Sequence, residues 1–490
     1  MKTKTKKTES IFSPRRTAGA LAGSVLLTLA LAASPEARAA GGSWEAVGSG
    51  QYLSDTSHGY PSLAFHPSSH DLYVAAVEEA NSIQVKHFDG TSWENVGSAM
   101  TSDELDEAKI AFNPSTKEPY LAYWDITLGK IVVKKYDGSS WTDVGSHGVT
   151  ENNSSSPSLA FNPATGNPYI AYRDNGISKL VVKMYNGSAW ENVGPFGISG
   201  GDTYYISLAF NPSTHEPYVA FDDVGSGDKL RVMKYDGSSW TDVGSSGVSS
   251  ATASFIDLAF NEETNLPYVI YTEPGNALAV KRFDGSSWQD VGSPMGSDSS
   301  ARSGQIAFCP STNVPYISYA NDNPANNIVV RKYSGSGWEL VGESGFNSYE
   351  GYGYELGFSP ATNEPFLVFE DESPSDITFH HLGIYKFNKA VSSSPSVSYS
   401  GKKSSRKNIT FTFQDLKITT KKSWVKVWLG GKKVKVRSVK RSGNNLKVGL
   451  QVKYGKWAAG SYNLRMVFKK KVGRTKHTDT WRSLSALTIL

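Results

Sequence analysis

Short apolar runs separated by turn residues recur along this chain at a nearly fixed spacing. In one representative stretch, Ser158-Leu159-Ala160-Phe161 is followed by a turn that begins at Asn162-Pro163 and ends at Pro168. Tyr169-Ile170-Ala171-Tyr172 comes next, then a polar loop, then Leu180-Val181-Val182-Lys183-Met184-Tyr185. Asn186-Gly187 leads into a fourth run, Trp190-Glu191-Asn192-Val193-Gly194. Short runs rich in β-branched and aromatic side chains predict strands. Pro falls between the runs, where no ladder donor is lost. Asn-Gly or Asp-Gly before the last run predicts a two-residue hairpin with both residues at positive φ. No apolar stripe of helical period is sustained in 40–390.

The aromatic that closes the first run recurs as Phe65, Phe112, Phe161, Phe210, Phe260, Phe308 and Phe358, at spacings of 47, 49, 49, 50, 48 and 50 residues. A period near 50 made of four short strands predicts an all-β fold, a seven-bladed β-propeller over residues 40–391. Ser43-Trp44-Glu45-Ala46-Val47-Gly48 is a fourth strand with no strands before it, and the last copy lacks a Ser-Trp strand after it. The N-terminal strand should therefore complete the last blade and close the ring, leaving little free edge. This closure resembles that of WD-repeat propellers, although the copies lack the WD dipeptide and the Gly-His pair. Asp-Gly-Ser-Ser-Trp at 137–141, 236–240 and 284–288, and Asp-Gly-Thr-Ser-Trp at 89–93, are similar to the Asp-box hairpin of sialidase-type propellers. That box has one more residue between Asp and Trp, and the resemblance implies a structural hairpin far from the ligand face. Trp44, Trp93, Trp141, Trp190, Trp240, Trp288 and Trp338 are expected to pack between adjacent blades.

Charge and chain ends add three things. Residues 1–39 read as an export signal: Lys2, Lys4, Lys6, Lys7, Arg15 and Arg16, an apolar stretch from Ala18 to Ala33, then Ala37-Arg38-Ala39 before Ala40. The alternative is an uncleaved anchor helix. No later run could span a bilayer as a helix, so a secreted or cell-surface monomer is expected. The net charge of +4 hides an asymmetry, −23 over 40–395 and +22 over 396–490. Such a switch marks a domain boundary, with Ser392-Ser393-Ser394-Pro395 as linker. Cys309 is the single cysteine, so no intramolecular disulfide forms; it stands where other copies have Asn and reads as a small turn residue.

Residues 396–490 alternate polar and apolar positions in short runs, predicting a β-sandwich. The stretches at 424–439, 444–452 and 458–468 resemble a TIG-type immunoglobulin-like domain, whose usual companions are extracellular binding or adhesive modules. Its lysines depart from that family. Lys433, Lys435 and Arg437, then Lys469, Lys470 and Lys471, are candidates for a polyanion-binding surface, or for contact with the acidic propeller itself. Their plainer role is a solvated sheet face.

Candidate chemistry is sparse. No metal-protease, paired-cysteine, phosphate-loop or nucleophile-elbow pattern is present. After the second run the copies carry an acid or amide: Glu78, Asp125, Asp174, Asp223, Glu273, Asn321 and Asp371. These residues could cap turns, or form with Tyr204, Tyr205 and Tyr352 a carboxylate-and-aromatic face for a glycan, a protein or structural Ca²⁺. The neighbouring position varies: Trp124, Arg173, Asp222, Thr272, Ala320, Glu370. Variable residues on a constant frame predict a surface free to specialise, with Trp124 and Arg173 as ligand contacts. No catalytic residue and no cofactor is assigned, and the expected function is non-catalytic binding or adhesion. The rival is a propeller hydrolase or lyase acting on polysaccharide, which needs two convergent carboxylates.

Overall fold

The computed structural model describes residues 42–48, 52–57, 60–78, 81–293, 301–321, 327–342, 351–372 and 380–389, and the strands beyond 395. The chain divides into a unit spanning Glu36–Ala390 and a second unit containing Val391–Leu490. The expected leader at 1–39 and linker at 392–395 lie outside the described residues.

The first unit is a seven-bladed ring of antiparallel sheets. Blade 2 consists of Leu105–Phe112, Pro119–Asp125, Lys130–Tyr136 and Trp141–Asp143. Blades 3 to 6 repeat it over 154–192, 207–242, 254–290 and 301–340, and blade 1 over 62–95. Blade 7 takes Gly351–Phe358, Pro365–Glu372 and His380–Lys389, and receives Gly42–Ala46 as its fourth strand, with Trp44 opposite Phe387. The expected ring closure is therefore present. One strand was not legible in the pattern. Tyr52–Ser57 pairs with both His380–Lys389 and Leu72–Glu78, joining blade 7 to blade 1 in one sheet. Each first strand touches the next around the ring, and the last touches the first, so their free edges surround a central axis.

Repeated side chains hold blade to blade. The indole N–H of each Ser-Trp tryptophan donates to a valine carbonyl of the preceding blade: Trp141 to Val96 at 2.7 Å, Trp190 to Val144 at 2.7 Å, Trp240 to Val193 at 2.6 Å, and Trp44 to Val341 at 2.9 Å across the closure. Gly194, at φ 80°, lies under the Trp240 ring, and a Cβ there would sit 2.9 Å from Cδ1. The marker phenylalanines pack edge-on against an aromatic of the blade before, a tyrosine as in Tyr120–Phe161 and Tyr218–Phe260, both at 5.0 Å, or Phe366 for Phe65. Asn113 accepts the N–H groups of Ser115 and Thr116 and donates to Gly166 O of the next blade at 2.9 Å. Cys309 takes this place in blade 6, buried at the same turn.

The Asp-Gly hairpins differ from the expected geometry. Only glycine is left-handed, at φ 95° to 101° in Gly90, Gly138, Gly187, Gly237 and Gly285. The aspartate ends the strand, and its carboxylate accepts the next turn's N–H groups, as Asp137 Oδ1 does from Ser139 and Ser140, both at 2.8 Å. These bonds, led by the serine or threonine hydroxyl, bring Asp89, Asp137 and Asp236 down to about 2.

The strands beyond 395 form one antiparallel path in the order Ser396–Ser400, Arg406–Phe413, Asn445–Lys453, Lys432–Ser442, Val425–Leu429, Gly460–Val472, Thr475–Ile489. Within Lys432–Ser442 the register shifts between Val436 and Ser438, at Arg437. The side chains of Lys433, Lys435, Arg437, Lys469, Lys470 and Lys471 lie outside the described residues.

Candidate functional site

Antiparallel blades put the inter-blade loops and the second-to-third-strand loops on one face of the ring. The Asn-Pro turns and Asp-Gly hairpins lie on the other. Among the described residues six large apolar side chains are exposed: Tyr60, Leu128, Phe196, Tyr204, Tyr205 and Val224. Every one belongs to the first face.

The repeated acids on this face cap turns. Asp125 Oδ1 accepts from Leu128 N at 2.8 Å and Ser102 Oγ at 3.1 Å. Asp174 is fully buried, accepting from Gly176 N at 2.9 Å and Asn152 Nδ2 at 3.0 Å. Asp223, also fully buried, accepts from Gly200 N, Gly201 N and Gly225 N and meets Arg231 at 3.0 Å. Burial alone would push its carboxyl up, but those donors and Arg231 hold it below the usual range. Glu273 takes Ser250 Oγ at 3.1 Å. The side chains of Asp371 and Tyr352 lie outside the described residues; their backbones oppose Gly351 and Glu370.

The variable position faces a second one. Trp124 opposes Asp106, Arg173 opposes Ser155, Thr272 opposes Ser254, Ala320 opposes Arg302, and Glu370 opposes Tyr352. In blade 4, Asp222 accepts the N–H of Tyr204. Sequence reasoning named Tyr204 and Tyr352 for this face but missed their pairing with the variable position, because they precede the recognisable Leu-Ala-Phe run. Trp124 is half-buried against the core between blades 2 and 3, and its buried indole N–H has no partner among the described residues. Arg173 is fixed by Asp202, at 2.7 Å and 2.6 Å, and stacks 4.9 Å from the Tyr204 ring, whose hydroxyl also donates to Asp202.

Immediately after this pair the innermost strand is kinked. Glu107, Ser156, Tyr205, Phe255 and Ser303 occupy equivalent places with φ between 49° and 54°. A left-handed Tyr, Phe or Glu costs about 1–3 kcal/mol, and such strain gathers at functional sites. Bulges re-aim the side chains they carry. Tyr205 meets Phe255 at 5.0 Å. The Tyr60 hydroxyl is raised first by burial, then by Glu107, Asp106, Tyr205 and Glu370, which come from blades 2, 4 and 7. Those groups therefore share one mouth around the axis. Burial, then Asp106, pushes Glu107 up to about 7, and burial pushes Asp222 up to about 7. Ser156 bonds the Glu107 carboxyl, whose Oε2 is buried without a partner among the described residues.

Deeper along the axis lies a polar belt. Ser62, Ser158, Ser207, Asp257 and Glu355 each accept a backbone N–H of the next blade, at 3.0–3.3 Å. Lys109 holds the equivalent place in blade 2, and desolvation raises the carboxyls of Asp257 and Glu355. Among the described residues no group of three His, Cys, Asp or Glu is placed to hold a metal ion. No helix there is long and apolar enough to cross a membrane.

No protein-family model matches this chain, and no curated protein does. Solved structures give distant likenesses. The fucose-specific lectin from Aleuria aurantia is 15% identical, covering 60% of this chain and 99% of that one, with a TM-score of 0.41. The SapL1 lectin in complex with α-methyl fucoside is 15% identical, covering 59% and 97%, at 0.42. Chaetomium thermophilum Raptor is 12% identical, covering 72% and 30%, at 0.45. Similarity this low leaves the ligand to be argued from the chain's own residues, and the Aleuria lectin is described as six-bladed.

Proposed function

We propose that this chain is a non-catalytic, extracellular binding protein whose propeller takes a glycan at the axial mouth. One observation carries the reading. All six exposed large apolar side chains of the described residues lie on one face, and Tyr60, Tyr204 and Tyr205 stand among carboxyl groups at its centre. Tyrosine rings offer a flat apolar surface to sugar C–H groups at small entropic cost, and carboxyl groups bind the sugar's hydroxyls. Arg173 and Asp202 hold Tyr204 in place before any ligand arrives. The basic C-terminal unit, read as immunoglobulin-like, would contact an anionic polymer, and residues 1–39 would direct export. A glycan array tests the reading. Wild-type protein should capture a subset of glycans, and Tyr205→Ala should lose them while remaining folded. A folded wild-type chain that captures nothing would sink it.

A second reading rests on Glu107 and Asp222, both near 7. A carboxyl that is still partly protonated at neutral pH is what a glycosidase needs as general acid. New reducing ends in a captured polysaccharide, absent with Glu107→Gln, would favour it.

A further inference from the structure

The grooves between blades are not equivalent. Tyr123, Tyr172, Tyr271 and Tyr319 occupy the same place on the second strands of blades 2, 3, 5 and 6. Three of the four hydroxyls are satisfied from within. Tyr172 donates to Glu151 Oε2 at 3.1 Å, and Glu151 Oε1 takes Lys183 Nζ at 2.5 Å. Tyr271 donates to Glu273 at 3.4 Å, and Tyr319 accepts from Arg331 Nε at 2.7 Å. The Tyr123 hydroxyl has no such partner among the described residues. Tyr123 instead lines a cavity of about 300 Å³ between blades 1 and 2.

The cause is a single position. Met100 pairs with Ile83 as Val149 bonds Ile131, so Ser102 stands where the next groove has Glu151. Ser102 is too short to cross the groove and turns to Asp125. Asp125 is one methylene shorter than Glu273, and its Oδ1 is committed to Leu128 N. The space that a glutamate fills elsewhere is therefore open.

Its walls are set. Trp141 is pinned through its N–H to Val96 O at 2.7 Å. Lys134 is held by Asp143 at 2.6 Å, which also meets His147 at 3.2 Å. With Lys134 neutralised and Asp125 adjacent, the cavity does not favour an anion. Its lining includes Tyr123 and Lys134, which carry a hydroxyl and ammonium protons, and the apolar side chains of Met100 and Trp141. A volume of about 300 Å³ is at the low end for small-ligand pockets, enough for a single ring.

We infer that the groove between blades 1 and 2 binds one neutral sugar ring, with its hydroxyls on Tyr123 and Lys134 and its C–H face on Met100 and Trp141. This rests on the glycan reading for its ligand class but uses a place separate from the axial mouth.

Saturation-transfer NMR on the full chain, with methyl glycosides of common neutral hexoses and 6-deoxyhexoses, tests it. With the mouth disabled by Tyr205→Ala, at least one glycoside should still bind, and it should bind at least tenfold more weakly once Ser102→Glu is added. Glu151→Ser should open the groove between blades 2 and 3 and add a second equivalent in calorimetry. Undiminished binding when Ser102→Glu is added to folded Tyr205→Ala, no added equivalent in Glu151→Ser, or no glycoside bound by Tyr205→Ala would each overturn the groove. None of these touches array capture at the mouth, which fails separately through Tyr205→Ala.

Discussion

Replacing Asp222 by Asn should change how stability depends on pH. Asp222 is 4% exposed and accepts the Tyr204 N–H at the mouth. Burial, with smaller help from Asp228 and Asp202, lifts its carboxyl from 3.8 to about 7. In the unfolded chain an aspartate titrates near ~3.9. The folded value is the higher one, so the folded state keeps its proton longer. The stability tied to that proton is complete below about pH 4 and is lost as pH rises through about 7. A gap of about three pH units, at about 1.4 kcal/mol each, caps the loss near 4 kcal/mol. Water reaching the mouth screens the charge and brings this to about 2 kcal/mol. Asparagine keeps an acceptor oxygen and cannot ionise. Urea unfolding followed by tryptophan fluorescence should give the variant about 2 kcal/mol over wild type at pH 8, and no advantage at pH 4. Glu107 titrates in the same window in both proteins and cancels in the difference. A variant whose curve runs parallel to wild type across this range would refute the reasoning.

Other expectations follow from the frame. Trp240→Ala removes a half-buried indole, its ring contact with Tyr235 at 5.5 Å and its bond to Val193 O, and should cost about 2–4 kcal/mol by urea denaturation. Asp174→Ala strips the acceptor from the Gly176 and Ile177 N–H groups in a fully buried turn, and should cost about 1–3 kcal/mol with faster amide exchange at 175–178. If the basic unit contacts a polyanion, the chain should be retained on a heparin column and elute with salt. Changing Lys469, Lys470 and Lys471 together to Gln should then lower the eluting salt concentration.

The ring was legible because its cause is local and repeated. Each copy carries the same strand residues and a tryptophan that must reach the blade before it, so periodicity alone gives blade number and closure. The repeated acids were legible as a pattern, and their bonds show them capping turns, as Asp174 and Asp223 do. Tyr52–Ser57 was missed because it is copied nowhere else and owes its place to partners on two different blades. The bulge at Glu107 and Tyr205 was missed because residues as unlike as Glu, Ser, Tyr and Phe share one backbone conformation there. Strain imposed by the ring leaves no residue signature. The open groove also depends on comparison, since Ser102 means nothing until it is aligned in space with Glu151.

If the propeller captures glycan at its mouth, protection on binding should appear there and not across the hairpin face. Hydrogen exchange with and without a glycan captured on the array tests it directly. Exchange should slow at 104–108 and 202–206, with no change in the hairpins at 186–190 and 236–240. Protection confined to those hairpins, or absent from both mouth segments at saturating glycan, would contradict it.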